Sequence, residues 1–244
     1  MTYCIAMRLD AGLLFASDSR TNAGVDHIAT FRKMSLFEAQ GERLIVLLSA
    51  GNLATTQSVV SLLRQRLGGE TEHLLSCKSM YDAAELVGRT VKEIFARDAA
   101  SDTLGQGVDF GGSFIVGGQI KGEPTRLFRV YAQGNFIEAS DDTPYFQIGE
   151  SKYGKPIIDR VIRTDTSLKE AAKCTLISFD STIRSNLSVG LPIDMLLYRT
   201  ASFAPAEPHR ITADDPYYNK LCRGWGDGLK RTFAKLPDED WFSK

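Results

Sequence analysis

The chain has 244 residues, 43% of them hydrophobic and 24% charged, with a formal net charge of -1 and a pI near 6.3. That balance belongs to a globular chain able to bury a large core, and it excludes a disordered or membrane-embedded one. Lysines and arginines are scattered, which argues against a nucleic-acid partner, and no apolar run reaches the length of a membrane span.

The start lacks the basic, apolar and small-residue regions of a secretory signal, so a cytoplasmic protein is expected. No Pro/Gly/Ser-rich linker, composition shift or internal repeat divides the chain, and one domain over 1–244 is expected.

Residues 2–9 and 13–18 read as two strands joined at Asp10-Ala11-Gly12. A polar stretch, SRTNAGVDHIATF, follows. KMSLF (33–37) and RLIVLLSAG (43–51) then form a second strand pair around the turn residues EAQGE. Asn52 is the expected N-cap of a first helix, in which Val59, Val60, Leu63 and Leu67 recur at helical spacing before Gly68-Gly69. From Met80 to Ala100 a second helix is expected to bury Ala84, Val87, Val91, Ile94 and Phe95.

The middle returns to strands: GSFIVGGQI, TRLFRVYA and FIEAS are punctuated by the turns K-G-E-P and Q-G-N. Two helices follow, KPIIDRVI and SLKEAAKCTLISFDSTIRSN, the second opened by Ser167 with Glu170 three residues on, a capping box. PIDMLLYRT reads as a late strand, and a polar helical tail is expected from about residue 212. Within it, RGWGDG reads as a helix break or turn, since a dinucleotide-binding loop should follow a strand. Runs such as LIVLLSA and SFIVGG are apolar on both alternating faces, so their strands must be covered on both sides. The expectation is an α+β chain built as a four-layer αββα sandwich, two antiparallel sheets between helical layers.

Cys4, Cys77, Cys174 and Cys222 are far apart, without a C-x-x-C pair, and read as small core residues. His73 and Cys77 would share a helix face, but two ligands without a second pair do not make a metal site, and none is expected. His27, in the polar stretch, reads as a surface residue.

Thr2 stands directly behind the initiator methionine and leads into an apolar strand. If Met1 is removed, Thr2 carries a hydroxyl and a free α-amine, a nucleophile with its own base. The element order with a threonine at the head of the first strand resembles the proteasome β-subunit branch of the N-terminal-nucleophile hydrolases, over nearly the whole chain. The stretches TYCIAMRLDAGLLFASDSRTNAGVDHIATFRKM and RSNLSVGLPIDML are similar to the bacterial ancestral β-subunit (Anbu) family.

The resemblance implies Thr2 as nucleophile, supported by Asp18 and Lys33, and the amide of Gly51 as oxyanion donor. A threonine hydroxyl is too weak an acid to attack an amide unaided, and an α-amine titrating at about 7.7 to 8.0 can take its proton. A lysine cation nearby would disfavour protonation of that amine, and a carboxylate would hold the lysine in place. Ser188 fills a supporting serine position, but Ser185 stands where the family has an aspartate, with Asp180 one turn earlier as a candidate replacement. Glu150 or Ser151 falls at a further serine position. The substrate pocket is implied near Thr21, Phe31, Ser49 and Leu53.

The implied function is a threonine-type hydrolase of peptide or isopeptide bonds, needing no metal or organic cofactor and working as a homo-oligomer, either a ring or an open spiral. Relatives of this family tend to be encoded beside proteins resembling peptide ligases, which keeps open a dedicated amidase or acyl-transfer enzyme for an unusual peptide. The third alternative is a non-catalytic scaffold subunit. Scaffold members carry an N-terminal helix, and no residues precede Met1-Thr2 to build one. The last residues, LPDEDWFSK, could pack on a neighbouring subunit or on their own domain.

Overall fold

The structure, a computed structural model, describes residues 2–22, 28–100, 111–239 and 241. Met1, His27 and part of the final LPDEDWFSK stretch lie outside the described residues. Strand β1 (Tyr3–Leu9) turns into β2 (Gly12–Asp18), and every residue of β2 is buried. The polar stretch that follows carries a small antiparallel ribbon, β3 (Arg20–Asn22) with β4 (Ile28–Thr30). The second hairpin is β5 (Met34–Ala39) and β6 (Arg43–Gly51).

Helix α1 (Leu53–Arg66) starts where Asn52 Oδ1 accepts the N–H groups of Ala54 and Thr55. Helix α2 (Met80–Ala100) has the expected bounds, but Phe95 is 41% exposed whereas its neighbour Ile94 is buried. The apolar stripe is narrower than the sequence spacing suggests, and Phe95 lies on its solvent edge.

The meander is β7 (Gly112–Ile120), β8 (Arg126–Val130) and β9 (Phe136–Glu138). Strand β10 (Tyr145–Gly149), which the sequence reading lacks, precedes α3 (Lys155–Val161). In α4 (Leu168–Ser185) the Ser167–Glu170 capping box is formed in both directions. Strands β11 (Ile193–Arg199) and β12 (His209–Ile211), the latter also absent from the sequence reading, lead to α5 (Pro216–Phe233).

RGWGDG is neither a break nor a turn, because it lies inside α5. Each helical glycine costs about 1 kcal/mol relative to alanine. The helix persists because Asp215 Oδ1 caps the Tyr218 N–H at 2.7 Å and because Tyr218 and Cys222 are buried in the core that α4 also lines.

Two antiparallel sheets result, in the orders β10-β1-β2-β11-β12 and β5-β6-β7-β8-β9. Alternation along each strand sends side chains to two different cores. From β1, Tyr3, Ile5 and Met7 pack under α4 with Phe179, while Cys4 and Ala6 face Val46 and Ile115 of the other sheet. The outer face of the second sheet, with Ile45, Phe114 and Phe128, is closed by Val59 of α1 and Val87 of α2. The molecule is therefore the four-layer αββα sandwich, with both sheets covered on both faces. All four cysteines are buried free thiols.

Candidate active site

Thr2 sits where the first sheet ends, held between β2 on one side and β10 on the other. On the β2 side the following N–H, that of Tyr3, donates to Asp18 Oδ1 at 3.0 Å. On the β10 side the Thr2 carbonyl accepts the Glu150 N–H at 2.6 Å. Gly149, with φ +79, lets this happen: a Cβ there would lie 2.0 Å from the Thr2 oxygen.

Asp18 is fully buried at the end of β2. Its Oδ1 also accepts Lys33 Nζ at 2.6 Å, and its Oδ2 accepts the N–H groups of Arg20 at 3.2 Å and Gly190 at 3.5 Å. Burial pushes the Asp18 carboxyl up from the ordinary carboxylate range; the Lys33 cation and the N–H donors of Tyr3 and Gly190 oppose that and favour the ionised form.

Lys33, just ahead of β5, is pinned at both ends. Its Nζ donates to Arg20 O at 2.7 Å as well as to Asp18, and its backbone carbonyl accepts the Ser49 N–H at 3.0 Å. The lysine is thus fixed by two sheets, with its side chain 5% exposed.

These residues open onto a cavity of about 910 Å³. Thr2, Lys33 and Gly51 line it together with Thr21, Ser49 and Leu53. Gly51, with φ +114, ends β6 directly before the N-cap of α1, in a backbone conformation that side chains rarely adopt. The positive end of the α1 dipole starts one residue later, where negative charge is favoured.

The other sequence-derived candidates are placed differently. Phe31 is outside the cavity wall and 38% exposed, its N–H donating to Ser19 O at 2.8 Å. Ser185 is the last residue of α4, and Ser188 donates its N–H to Asn186 Oδ1 at 2.9 Å; neither lines the cavity. Their segment reaches the site from behind through its backbone, with Gly190 N–H on Asp18 and Leu187 O accepting Arg20 Nη1 at 2.8 Å.

Asp180 does not replace the missing aspartate: it accepts Arg184 Nε at 3.0 Å and adds negative charge beside Tyr218 and Cys222 of α5. The acidic residue bonded to Thr2 is Glu150, through its backbone N–H rather than its carboxylate. It is buried, and its Oε2 accepts Asn186 Nδ2 at 2.9 Å while its Oε1 accepts the Lys152 N–H at 2.8 Å. That arrangement links the end of β10 to the turn after α4.

Gly149 and Asp194 belong to the cavity wall although sequence reasoning passes over both. The backbone role of Gly149 follows only from β10 pairing with β1, Tyr3 facing Gly149 in the register. Among the described residues, no cluster of three or more His, Cys, Asp or Glu could hold a metal ion, and no helix is long and apolar enough to cross a membrane.

No protein-family model and no curated protein matches the chain. Solved structures do. One titled Anbu (ancestral beta-subunit), from Yersinia bercovieri, is 59% identical, with a TM-score of 0.92 over 98% of this chain and 99% of that one. The helical assembly of the Anbu complex from Pseudomonas aeruginosa gives 54% identity and a TM-score of 0.94, covering 98% of each chain. An Anbu structure from Hyphomicrobium sp. strain MC1 gives 53% identity and a TM-score of 0.89 over 98% of this chain and 100% of that one. On identity across almost its whole length, and on the sandwich that carries Thr2 at the head of β1, the chain belongs to the Anbu, or ancestral β-subunit, family of proteasome-like N-terminal-nucleophile hydrolases.

Proposed function

We propose that the chain is a threonine-type hydrolase that cleaves an amide bond, peptide or isopeptide, through Thr2 once Met1 has been removed. The observation that supports this most directly is the buried Lys33–Asp18 pair at 2.6 Å, tied by the same carboxylate oxygen to the Tyr3 N–H, one bond along the chain from Thr2. A cation held there lowers the proton affinity of the adjacent amine and favours the alkoxide.

In this mechanism Thr2 Oγ1 attacks the scissile carbonyl carbon as its proton passes to the α-amine. The oxyanion is met by the Gly51 N–H, a contribution of about 2.7–4 kcal/mol for such a donor. Collapse breaks the C–N bond, and the departing amine takes the proton from the α-ammonium. Water, deprotonated by the freed α-amine, then hydrolyses the Thr2 ester and restores the enzyme. Neither step calls for a metal or an organic cofactor.

The helical assembly of the Pseudomonas aeruginosa relative supports reading this chain, too, as a homo-oligomer, ring or spiral. A second reading, a dedicated amidase or acyl-transfer enzyme for an unusual peptide, draws support from Ser185 standing where most active proteasome subunits carry an aspartate. Broad turnover of ordinary fluorogenic peptides favours the general peptidase; silence towards them, with hydrolysis of a branched or otherwise unusual amide, favours the second reading.

Two measurements test the common core. Intact mass is expected to show active protein lacking one methionine. Thr2→Ala is expected to keep its assembly and lose turnover by at least about 10³-fold, the scale on which essential nucleophiles act. Turnover unchanged in that variant would return the chain to the scaffold alternative.

A further inference from the structure

The cavity that holds Thr2 is longer than one substrate side chain needs. Leu53, Gln57, Val60 and Arg64 of α1 follow one another at intervals of four, three and four and line it from the helix's first turn to its last. At 1.5 Å per residue that wall runs about 16 Å, room for roughly five residues of extended chain.

Its charge is one-sided. Arg20, Arg32, Lys33 and Arg64 line the cavity, against Asp194 on the wall and Asp18 behind Lys33. Lys33 is matched by Asp18 at 2.6 Å, and Asp194 lies 3.4 Å from Arg210 outside the wall, with the Arg32 cation a second, weaker influence on its carboxyl. Among the described residues no ion pair engages Arg20, Arg32 or Arg64. Arg66, in the same turn as Arg64, is committed instead to Thr90 and Glu93 of α2.

Arg20 is also fixed in place. Its Nη1 donates to Leu187 O at 2.8 Å, its guanidinium packs so closely on Gly190 that a Cβ there would lie 2.3 Å away, and its Nε is buried without a partner. A chain with a net charge of -1 has therefore gathered cations at one concavity, where low-dielectric walls concentrate their field.

The geometry points to an anionic substrate subsite: the groove along α1 takes a peptide segment several residues long whose carboxylates meet Arg32 and Arg64, with Arg20 at the Thr2 end. This names a substrate class for the proposed hydrolase, and it rests on that reading for its use in catalysis, though not for binding.

The test separates the two. Full-length Thr2→Ala protein is titrated, by fluorescence anisotropy at low salt, into labelled octapeptides that differ only in three successive residues: Glu, Gln or Lys. The Glu peptide should bind at least about tenfold more tightly than the Gln peptide, with the gap closing as salt rises. Arg32→Gln and Arg64→Gln should each weaken the Glu peptide about fivefold and the Gln peptide less than about twofold. Arg160→Gln removes the same charge from α3, outside the cavity wall, and should move neither. Equal affinities, no binding, or a Glu preference that survives the double variant Arg32→Gln/Arg64→Gln would overturn the subsite. Acylation of the wild-type protein by the same peptides is read separately by mass. A Glu preference without acylation leaves the subsite standing and removes the hydrolase reading; acylation without a charge preference does the reverse.

Discussion

Lys33 and Arg64 line the same cavity and are held in opposite ways. Lys33 is 5% exposed, bridged to a fully buried carboxylate and bonded to a carbonyl of the neighbouring ribbon. Arg64 is exposed in the last turn of α1, and among the described residues no ion pair engages it. A buried pair brings desolvation costs that only good geometry offsets, and in return its position is fixed. A solvated cation costs almost nothing and keeps its field available to whatever enters. On the proposed function, the contrast separates the part of the cavity built for a reacting atom from the part suited to holding a chain.

The largest expected effect comes from breaking the buried end. Lys33→Ala leaves Asp18 uncompensated in the core and should cost about 3–5 kcal/mol in urea denaturation, along with turnover. A loss below about 1 kcal/mol would mean the pair anchors nothing, and the contrast with Arg64 would vanish.

Gly149→Ala strikes the same end through the backbone. It combines φ +79 with a Cβ placed 2.0 Å from the Thr2 oxygen, and strain of this kind costs about 1–3 kcal/mol. Because the clash falls on Thr2 itself, kcat should drop more than stability alone explains; an unchanged kcat would show that β10 does not position the nucleophile.

Alkali probes the core behind the pair. Burial pushes the Cys4 thiol above its ordinary value, so the unfolded chain releases that proton first as pH rises. Stability should then fall above about pH 8.5, by up to about 1.4 kcal/mol per unit for one thiol. Melting curves of Cys4→Ala should show a shallower fall. The smallest effect belongs to the open end: Arg64→Gln should leave stability within about 0.5 kcal/mol, as for other solvated surface positions.

The elements legible in the sequence are those whose signal is local. Strands β6 and β7 are long and apolar on both faces, α4 announces its start with a capping box, and α1 with Asn52. Strands β10 and β12 are short, and β10 is defined by a partner distant in the chain, Tyr3 pairing with Gly149, so little near them marks them as strands. The α5 glycines mislead for a related reason, since a helix that would fail alone is held by Tyr218 and Cys222 in a shared core.

The site divides in the same way. Thr2, Asp18 and Lys33 stand in the stretch that carries the family resemblance, and the structure brings Asp18 and Lys33 together beside the Thr2–Tyr3 backbone. Glu150 is named by the resemblance with Ser151 as its alternative, but its backbone bond to Thr2 and the part played by Gly149 become visible only once β10 is in place. Arg64 gives no sequence signal, because a basic residue in the last turn is what the helix dipole favours anyway.

Thr2 is held at its carbonyl by the Glu150 N–H and, through the Tyr3 N–H, by Asp18, and it lines the cavity wall. A purification tag fused ahead of residue 2 would extend the chain at that wall and, on the proposed mechanism, convert the amine into an amide. On the chemistry proposed for Thr2, protein prepared that way would assay as inert, so affinity handles belong beyond α5.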